Sequence, residues 1–272
     1  MIIAQLTDLH IKEEGKFAYQ TVDTYGALQR AVTHLNDFRP AIDMVVVSGD
    51  LGDFGTQAEY NLLRQELNRL HMPYHVIPGN HDDYRVMRKA FSDHTYLATE
   101  GPLTFSIFRE GLRIIGLDTS VPGRPEGHMD TEKQAWLKHE LTTHKNEPTL
   151  IFMHHPPFET GIHHMDEIML QNAEVDFWPL LEGHDQVLHI ACGHVHRTIE
   201  TMKHGIPVSI GSCVAHQVTL DLDPTSRPSF TMDPPAIRLF LWQNNALVSH
   251  QSFLGDFPGP HPFFDQEGGL ID

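Results

Sequence analysis

The chain has 272 residues, 40% hydrophobic and 20% charged, which suits one large soluble domain or two small ones with a sizeable core. A formal net charge of -17 repels polyanions and argues against extended nucleic-acid binding. A small anionic substrate stays compatible with that charge if bound cations invert the field locally. Two cysteines, Cys192 and Cys213, are too few for a disulfide framework and fit a reducing compartment.

The first apolar run, Ile2 to Leu6, reads as a buried strand and opens into Thr7-Asp8-Leu9-His10. Met1 to Leu6 has no basic stretch and is too short for a signal peptide or a membrane span, so a cytoplasmic protein without membrane contact is expected. Ala27, Leu28, Ala31, Val32 and Leu35 then recur at helical spacing. Met44 to Val47 is a second strand and runs into Ser48-Gly49-Asp50. Leu62, Leu63, Leu67 and Leu70 mark a second helix. Tyr74 to Ile77 is a third strand, followed by Pro78-Gly79-Asn80-His81-Asp82 and a short helix from about Tyr84 to Phe91. Leu112 to Leu117 is strand-like and ends at Asp118. Thr131 with Gln134 reads as a capping box ahead of Trp136, Leu137 and Leu141.

Leu150 to Met153 leads into His154-His155-Pro156-Pro157, and Val187 to Ala191 into Cys192-Gly193-His194-Val195-His196. Ile237 to Trp242, Asn244-Asn245 and Ala246 to His250 form a hairpin pattern. Strands alternating with helices predict an α/β fold. A single domain over residues 1–254 and an irregular Pro- and Gly-rich tail over 255–272 are expected.

The polar residues fall at the carboxyl ends of buried strands, where open α/β sheets bind ligands. Collected together they are Asp8, His10, Asp50, Asn80, His155, His194 and His196, with His81 and His216 similar in type. Imidazole plus carboxylate suits zinc, iron or manganese, and the lack of cysteine argues against a structural zinc knot. Seven ligands exceed one tetrahedral ion and suit two ions that share a carboxylate. Each motif alone is weak, since Gly-Asp is usually a turn or a helix cap. Five in this order, each after an apolar run, are not. His154 and His155 are adjacent, so a strand points them to opposite sides and only one is readily a ligand. Spacing does not choose between them.

The set DLH, GDLGD, GNHD, HHPP and GHVH resembles the calcineurin-like metallophosphoesterase superfamily. Within it the chain looks most like bacterial class III cyclic nucleotide phosphodiesterases and glycerophosphodiesterases. The resemblance implies a four-layer α/β/β/α sandwich with two divalent ions, of iron, manganese or zinc, between the sheets. It implies that Asp8, His10 and His196 hold the first ion, that Asp50 bridges, and that Asn80, His155 and His194 hold the second. His154 is then a packed, hydrogen-bonded residue. His81 faces the substrate phosphate as a catalytic group, and His216 is a further substrate-side histidine.

The implied activity is hydrolysis of a small phosphodiester, a cyclic nucleotide or a glycerophosphodiester, by in-line attack of a hydroxide bridging the ions. Phosphomonoesterase or nucleotide pyrophosphatase activity is the enzymatic alternative. A noncatalytic scaffold on the same fold is disfavoured because every ligand is present. A homo-oligomer is compatible with the resemblance. Asp53 is read as ordering the loop after Asp50, Asp82 and Asp83 as helix caps or supports of a ligand, and His163-His164-Met165-Asp166 as an exposed loop, with a lining of the substrate mouth as its alternative. Phe17 and Tyr19 are noted as residues that could shape a pocket.

Overall fold

The computed structural model describes residues 1–271; Asp272, the last residue of the expected tail, lies outside the described residues. The chain starts with β1 (Ile2–Leu6), α1 (Thr24–Asp37), β2 (Met44–Ser48), α2 (Gln57–Leu67), β3 (Tyr74–Ile77) and α3 (Tyr84–Ala90). The hairpin β4 (Phe105–Arg109) and β5 (Leu112–Leu117) is followed by α4 (Thr131–Thr143) and β6 (Thr149–Met153). Two single-turn helices, α5 (His163–Asp166) and α6 (Ala173–Asp176), precede β7 (Val187–Cys192). Three antiparallel pairs close the order: β8 (Ile199–Lys203) with β9 (Ile206–Ile210), β10 (Gln217–Val218) with β11 (Phe230–Thr231), and β12 (Ala236–Gln243) with β13 (Ala246–Phe253).

Two large sheets result, one ordered β13-β12-β1-β2-β3 and the other β4-β5-β6-β7-β9-β8. β1, β2 and β3 run parallel, as do β5, β6, β7 and β9, so several strand ends open toward one edge. Side-chain alternation divides the core among three layers. Ile3, Met44, Val46 and Ile77 of the first sheet meet Ile114, Leu150 and Phe152 of the second. Ala4, Leu6, Val45 and Val47 point the other way, onto Ala27, Leu28, Leu63 and Met87 of α1 to α3. Ile115, Leu117, Ile151 and Met153 pack on Leu137 and Leu141 of α4. The architecture is therefore helix, sheet, sheet, helix, as the sequence led us to expect. Phe152 and Phe240 meet edge to face at 5.6 Å between the sheets. Full burial of such a side chain contributes roughly 1.5–3 kcal/mol.

Two local expectations need correction. The cap of α4 is Asp130, whose carboxylate accepts from the Glu132 and Lys133 amides, while Gln134 donates back to the Met129 carbonyl. The capping box lies instead at Thr56 and Glu59, ahead of α2. The predicted hairpin turn is present, with Asn244 and Asn245 at φ 52° and 56°, the left-handed pair that a two-residue hairpin loop requires. Beyond Leu254 the described residues are exposed and carry an isolated bridge from Phe264 to Leu270.

Candidate metal centre

The donor-bearing loops leave the ends of β1, β2, β3, β6 and β7, and the backbone enters the left-handed region after β1, β2 and β7. Asp8, His10, Asp50, His194 and His196 all sit at positive φ, between 44° and 73°. Such conformations are costly for residues with a Cβ and persist where the surrounding structure enforces them. Here they fold the side chains back toward the gap between the sheets. Gly49, at φ 100°, lies flat under the His154 ring, and a Cβ on Gly79 would overlap Asp50. The glycines of SGD and PGN therefore allow close approach of the very strands that carry the donors.

Two groups of donor atoms converge. In the first, His10 Nε2 lies 3.1 Å from His196 Nε2 and 3.5 Å from Asp50 Oδ2, and His196 Nε2 lies 3.5 Å from Asp8 Oδ1. In the second, His154 Nε2 lies 3.1 Å from Asn80 Oδ1, 3.3 Å from His194 Nδ1 and 3.4 Å from Asp50 Oδ2. Asp50 belongs to both groups.

This corrects the choice of His155. His154 shares the side of β6 occupied by Leu150 and Phe152, which faces the other sheet. His155 has the opposite parity. Its Nδ1 lies 2.8 Å from the Thr119 hydroxyl and its Nε2 3.2 Å from the Pro125 carbonyl, so both ring nitrogens are engaged away from Asp50. His155 holds the loop after β5, and His154 faces the donors.

The tautomers make the convergence chemically specific. His154 Nδ1 donates to the Ser48 carbonyl at 2.9 Å, and His10 Nδ1 to the Asp53 carboxylate at 3.2 Å. Both partners only accept, so each neutral ring is left with a bare Nε2 lone pair aimed at carboxylate oxygens. Acceptors facing acceptors in a buried site require a cation or a proton between them. The electrostatics agree. Burial alone would depress the His154 ring, but the Asp50 carboxylate, helped by Asp8 and the Ser48 carbonyl, pushes it up to about 9. Burial works against His10 too, and Asp53, Asp50 and Asp8 more than reverse it. Asp50 is buried, yet the rings of His154, His81 and His10 hold its carboxyl well below the usual range. Burial raises Asp8 to about 6. Burial and the neighbouring His154 hold His194 down to about 3, and burial with His10 keeps His196 well below its usual value. Those two rings are neutral and ready to donate lone pairs. His196 Nδ1 and His194 Nε2 are buried without hydrogen-bond partners among the described residues. The residues thus fit divalent cations bound by nitrogen and oxygen.

Cys213 lies near His196 and His216 but has another task. Its thiol donates to the Asp8 carbonyl at 2.9 Å, and burial pushes it up to about 12, so it stays protonated and props the strained Asp8 backbone.

Asp53 does more than order its loop. Its carboxylate takes His10 Nδ1 on one oxygen and Lys12 Nζ, at 2.6 Å, on the other. Its carbonyl accepts from His81 Nδ1 at 2.7 Å, which leaves His81 Nε2 free for the cavity. A carboxylate behind a ligating imidazole orients the ring and raises its basicity. Asp82 accepts from the Gly79, Leu51 and Gly52 amides and the Tyr60 hydroxyl, and so ties the PGN turn to the loop after Asp50. Asp83 caps α3, and Asp118 binds the Tyr84 hydroxyl and the Leu103 and Ser120 amides.

The donors open into a cavity of about 580 Å³. His81 and His216 border it, the His216 ring 4.7 Å from that of His196. His164 reaches it from α5, so only part of the expected exposed His163-His164 loop is remote. Tyr19, Met165, Ile168 and Phe230 complete the wall. In the sequence, Tyr19 and Met165 are legible only as residues that could line a pocket, and Ile168 and Phe230 are not singled out. Phe17 is half exposed and does not border the cavity.

No helix among the described residues is long and apolar enough to cross a membrane. A sequence model described as calcineurin-like phosphoesterase matches residues 1–198. A protein of Arcobacter nitrofigilis named as a probable glycerophosphodiester phosphodiesterase is 39% identical, over the whole of both chains. A probable cyclic nucleotide phosphodiesterase of Rhodopseudomonas palustris is 33% identical over 93% of each chain. A dimetal phosphatase from Danio rerio shares the fold, with a TM-score of 0.65 at 14% identity, over 93% of this chain and 98% of its own. With the family's sequence pattern matched over most of its length, the chain belongs to the calcineurin-like phosphoesterase family.

Proposed function

We propose that the chain is a binuclear metal-dependent phosphodiesterase acting on small diesters. The observation that carries this reading is the pair of donor groups joined through Asp50 at the floor of one cavity. In it Asp8, His10, Asp50 and His196 hold one divalent cation, and Asp50, Asn80, His154 and His194 hold the other. The donor set of imidazole, carboxylate and amide suits iron, manganese or zinc. When bound, such cations acidify a coordinated water and neutralise charge developing at phosphorus.

The protein's own groups supply the rest. Asp8 and Asp50 are the only carboxylates in the donor set, and Asn80 contributes oxygen without charge. Two divalent cations therefore leave the site positive, which favours a diester anion in an otherwise acidic protein. His81 is fixed by its Nδ1 bond to the Asp53 carbonyl, so its Nε2 faces the cavity. With both ring nitrogens protonated it donates from there to a phosphoryl oxygen or protonates the leaving alkoxide, a contribution of roughly a hundred- to ten-thousand-fold. Asn80 and His216 border the same space and bind substrate oxygens. The relatives named as diesterases support the substrate class, and the two free, buried cysteines support a reducing, cytoplasmic setting.

The test is a metal-reconstituted substrate panel of cyclic AMP, glycerophosphoethanolamine, bis(p-nitrophenyl) phosphate and p-nitrophenyl phosphate. Diesters should be turned over preferentially. A clear preference for the monoester would overturn the reading.

A further inference from the structure

Beyond the donors, the cavity carries an aromatic pair. Tyr19 stands on the loop between β1 and α1, and Phe230 on β11. Their rings stack at 5.0 Å with 29° between planes. Both flank His216, Tyr19 at 5.3 Å and Phe230 at 5.6 Å, so the pair begins where the donor cluster ends. Tyr19 is 55% exposed and Phe230 36%, which leaves ring surface open at the cavity. Met165 and Ile168 border the same cavity with apolar surface.

The charge of the lining is equally informative. Among the described residues, no Lys or Arg borders the cavity, and Asp50 is the only acid that does. Asp50 is committed to the donor groups. Outside them the lining offers the imidazoles of His81, His164 and His216 but no Lys or Arg for a second phosphate or a carboxylate, and no free carboxylate awaits an ammonium. The Ser229 hydroxyl, also at the rim, is taken up by Thr219. A polyol arm would lose water there and regain few hydrogen bonds.

We infer that Tyr19 and Phe230 are specificity-determining residues, forming a platform that selects diesters whose non-leaving arm is a flat, uncharged aromatic group. The inference rests on the phosphodiesterase reading and adds the arm. A phosphate seated on the donors places one ester oxygen beside His81 for departure. The other arm passes His216 and lies on the aromatic pair. Stacking of a flat ring on such a surface favours it by roughly tenfold or more over an arm that cannot stack.

The experiment holds the leaving group constant and changes only the arm. Metal-loaded protein is given p-nitrophenyl phosphates whose second ester is phenyl, methyl, glyceryl or choline. The phenyl ester should exceed the methyl and glyceryl esters in kcat/KM by about tenfold. Tyr19→Ala and Phe230→Leu should bring the phenyl-to-methyl ratio toward one, and Tyr19→Phe should keep it. A glyceryl or choline arm that equals phenyl, or a ratio unchanged in Tyr19→Ala, would overturn the platform. Calorimetry supplies a readout without turnover: phenylphosphonate should bind tighter than methylphosphonate to wild type, and the difference should vanish in Tyr19→Ala. Equal binding of the two phosphonates to wild type overturns the inference as well. If no diester is hydrolysed, the phosphodiesterase reading fails, and the phosphonate comparison still decides whether the platform exists.

Discussion

His154 and His155 are neighbours with opposite fates, and the difference is testable one residue at a time. His154 puts Nε2 among Asn80, His194 and Asp50, while His155 spends both nitrogens on Thr119 and Pro125. His154→Ala should reduce bound metal from two equivalents toward one by elemental analysis. His155→Ala should keep both equivalents and lose stability, by roughly 1–3 kcal/mol for the buried partners left unpaired. The reverse pattern would return the ligand role to His155. The raised His154 ring gives a second prediction. Its usual value is 6.5 and its value without a cation is about 9, so near pH 7.5 the ring is protonated. A cation needs that lone pair. Uptake should therefore release about one proton from this ring, and affinity should rise with pH until about 9. Calorimetric titration in buffers of different ionisation enthalpy reads the proton directly. Metal binding with no release at pH 7.5 would refute the assignment of His154 Nε2.

At the scale of elements, the strands and the order of their motifs were legible because buried β-runs are short, rich in Val and Ile, and end in turn residues. Which side of a strand faces the site was not. β6 is buried on both faces, so Thr149 to Met153 shows no polar alternation to say that His154 shares a side with Leu150 and Phe152. Asp53 was legible only as a loop residue, because its service to both His10 and His81 depends on a fold that brings positions 10, 53 and 81 together. Tyr19 was legible only as a residue that could shape a pocket, and Phe230 was harder still, since it stands on a two-residue strand with no periodicity. The Asp82 knot shows how two such elements are locked. It satisfies the Leu51 and Gly52 amides on one loop, and the Gly79 amide on the other. Asp82→Ala leaves these donors and the Tyr60 hydroxyl without their acceptor. A loss of about 2–4 kcal/mol is expected in urea unfolding, with weaker metal binding because Asp50 and Asn80 are no longer held in register. Unchanged stability would mean that the two loops hold their positions without it.

For the whole molecule, the decisive fact is that the donors come from both sheets. Asp8, His10, Asp50 and Asn80 follow strands of the first sheet, and His154, His194 and His196 follow strands of the second. Between the sheets the layer is apolar below, with Phe152 against Phe240, and becomes an acidic and imidazole-rich cluster at its open edge. Without cations that edge relies on protons, the one on His154 foremost, to bridge its imidazoles and carboxylates. With cations the same groups staple the sheets together. Each site at a free metal concentration of a hundred times its dissociation constant adds about 2.7 kcal/mol to folding stability. The two sites share Asp50 and are coupled, so their joint effect is on the order of 5 kcal/mol rather than a strict sum, or roughly 10 °C or more in Tm for a chain of this size. Chelation should lower Tm by that order and restored metal should raise it again. Phe152→Ala, which removes apolar packing of the same layer, should cost about 3–5 kcal/mol with or without metal. His154 lies two residues along the same face of the chain, so the size of the chelation shift in the variant reads how far the cavity left by the truncation reaches the donors. If chelation leaves Tm of the wild type unchanged, the two donor groups do not join the sheets through bound cations.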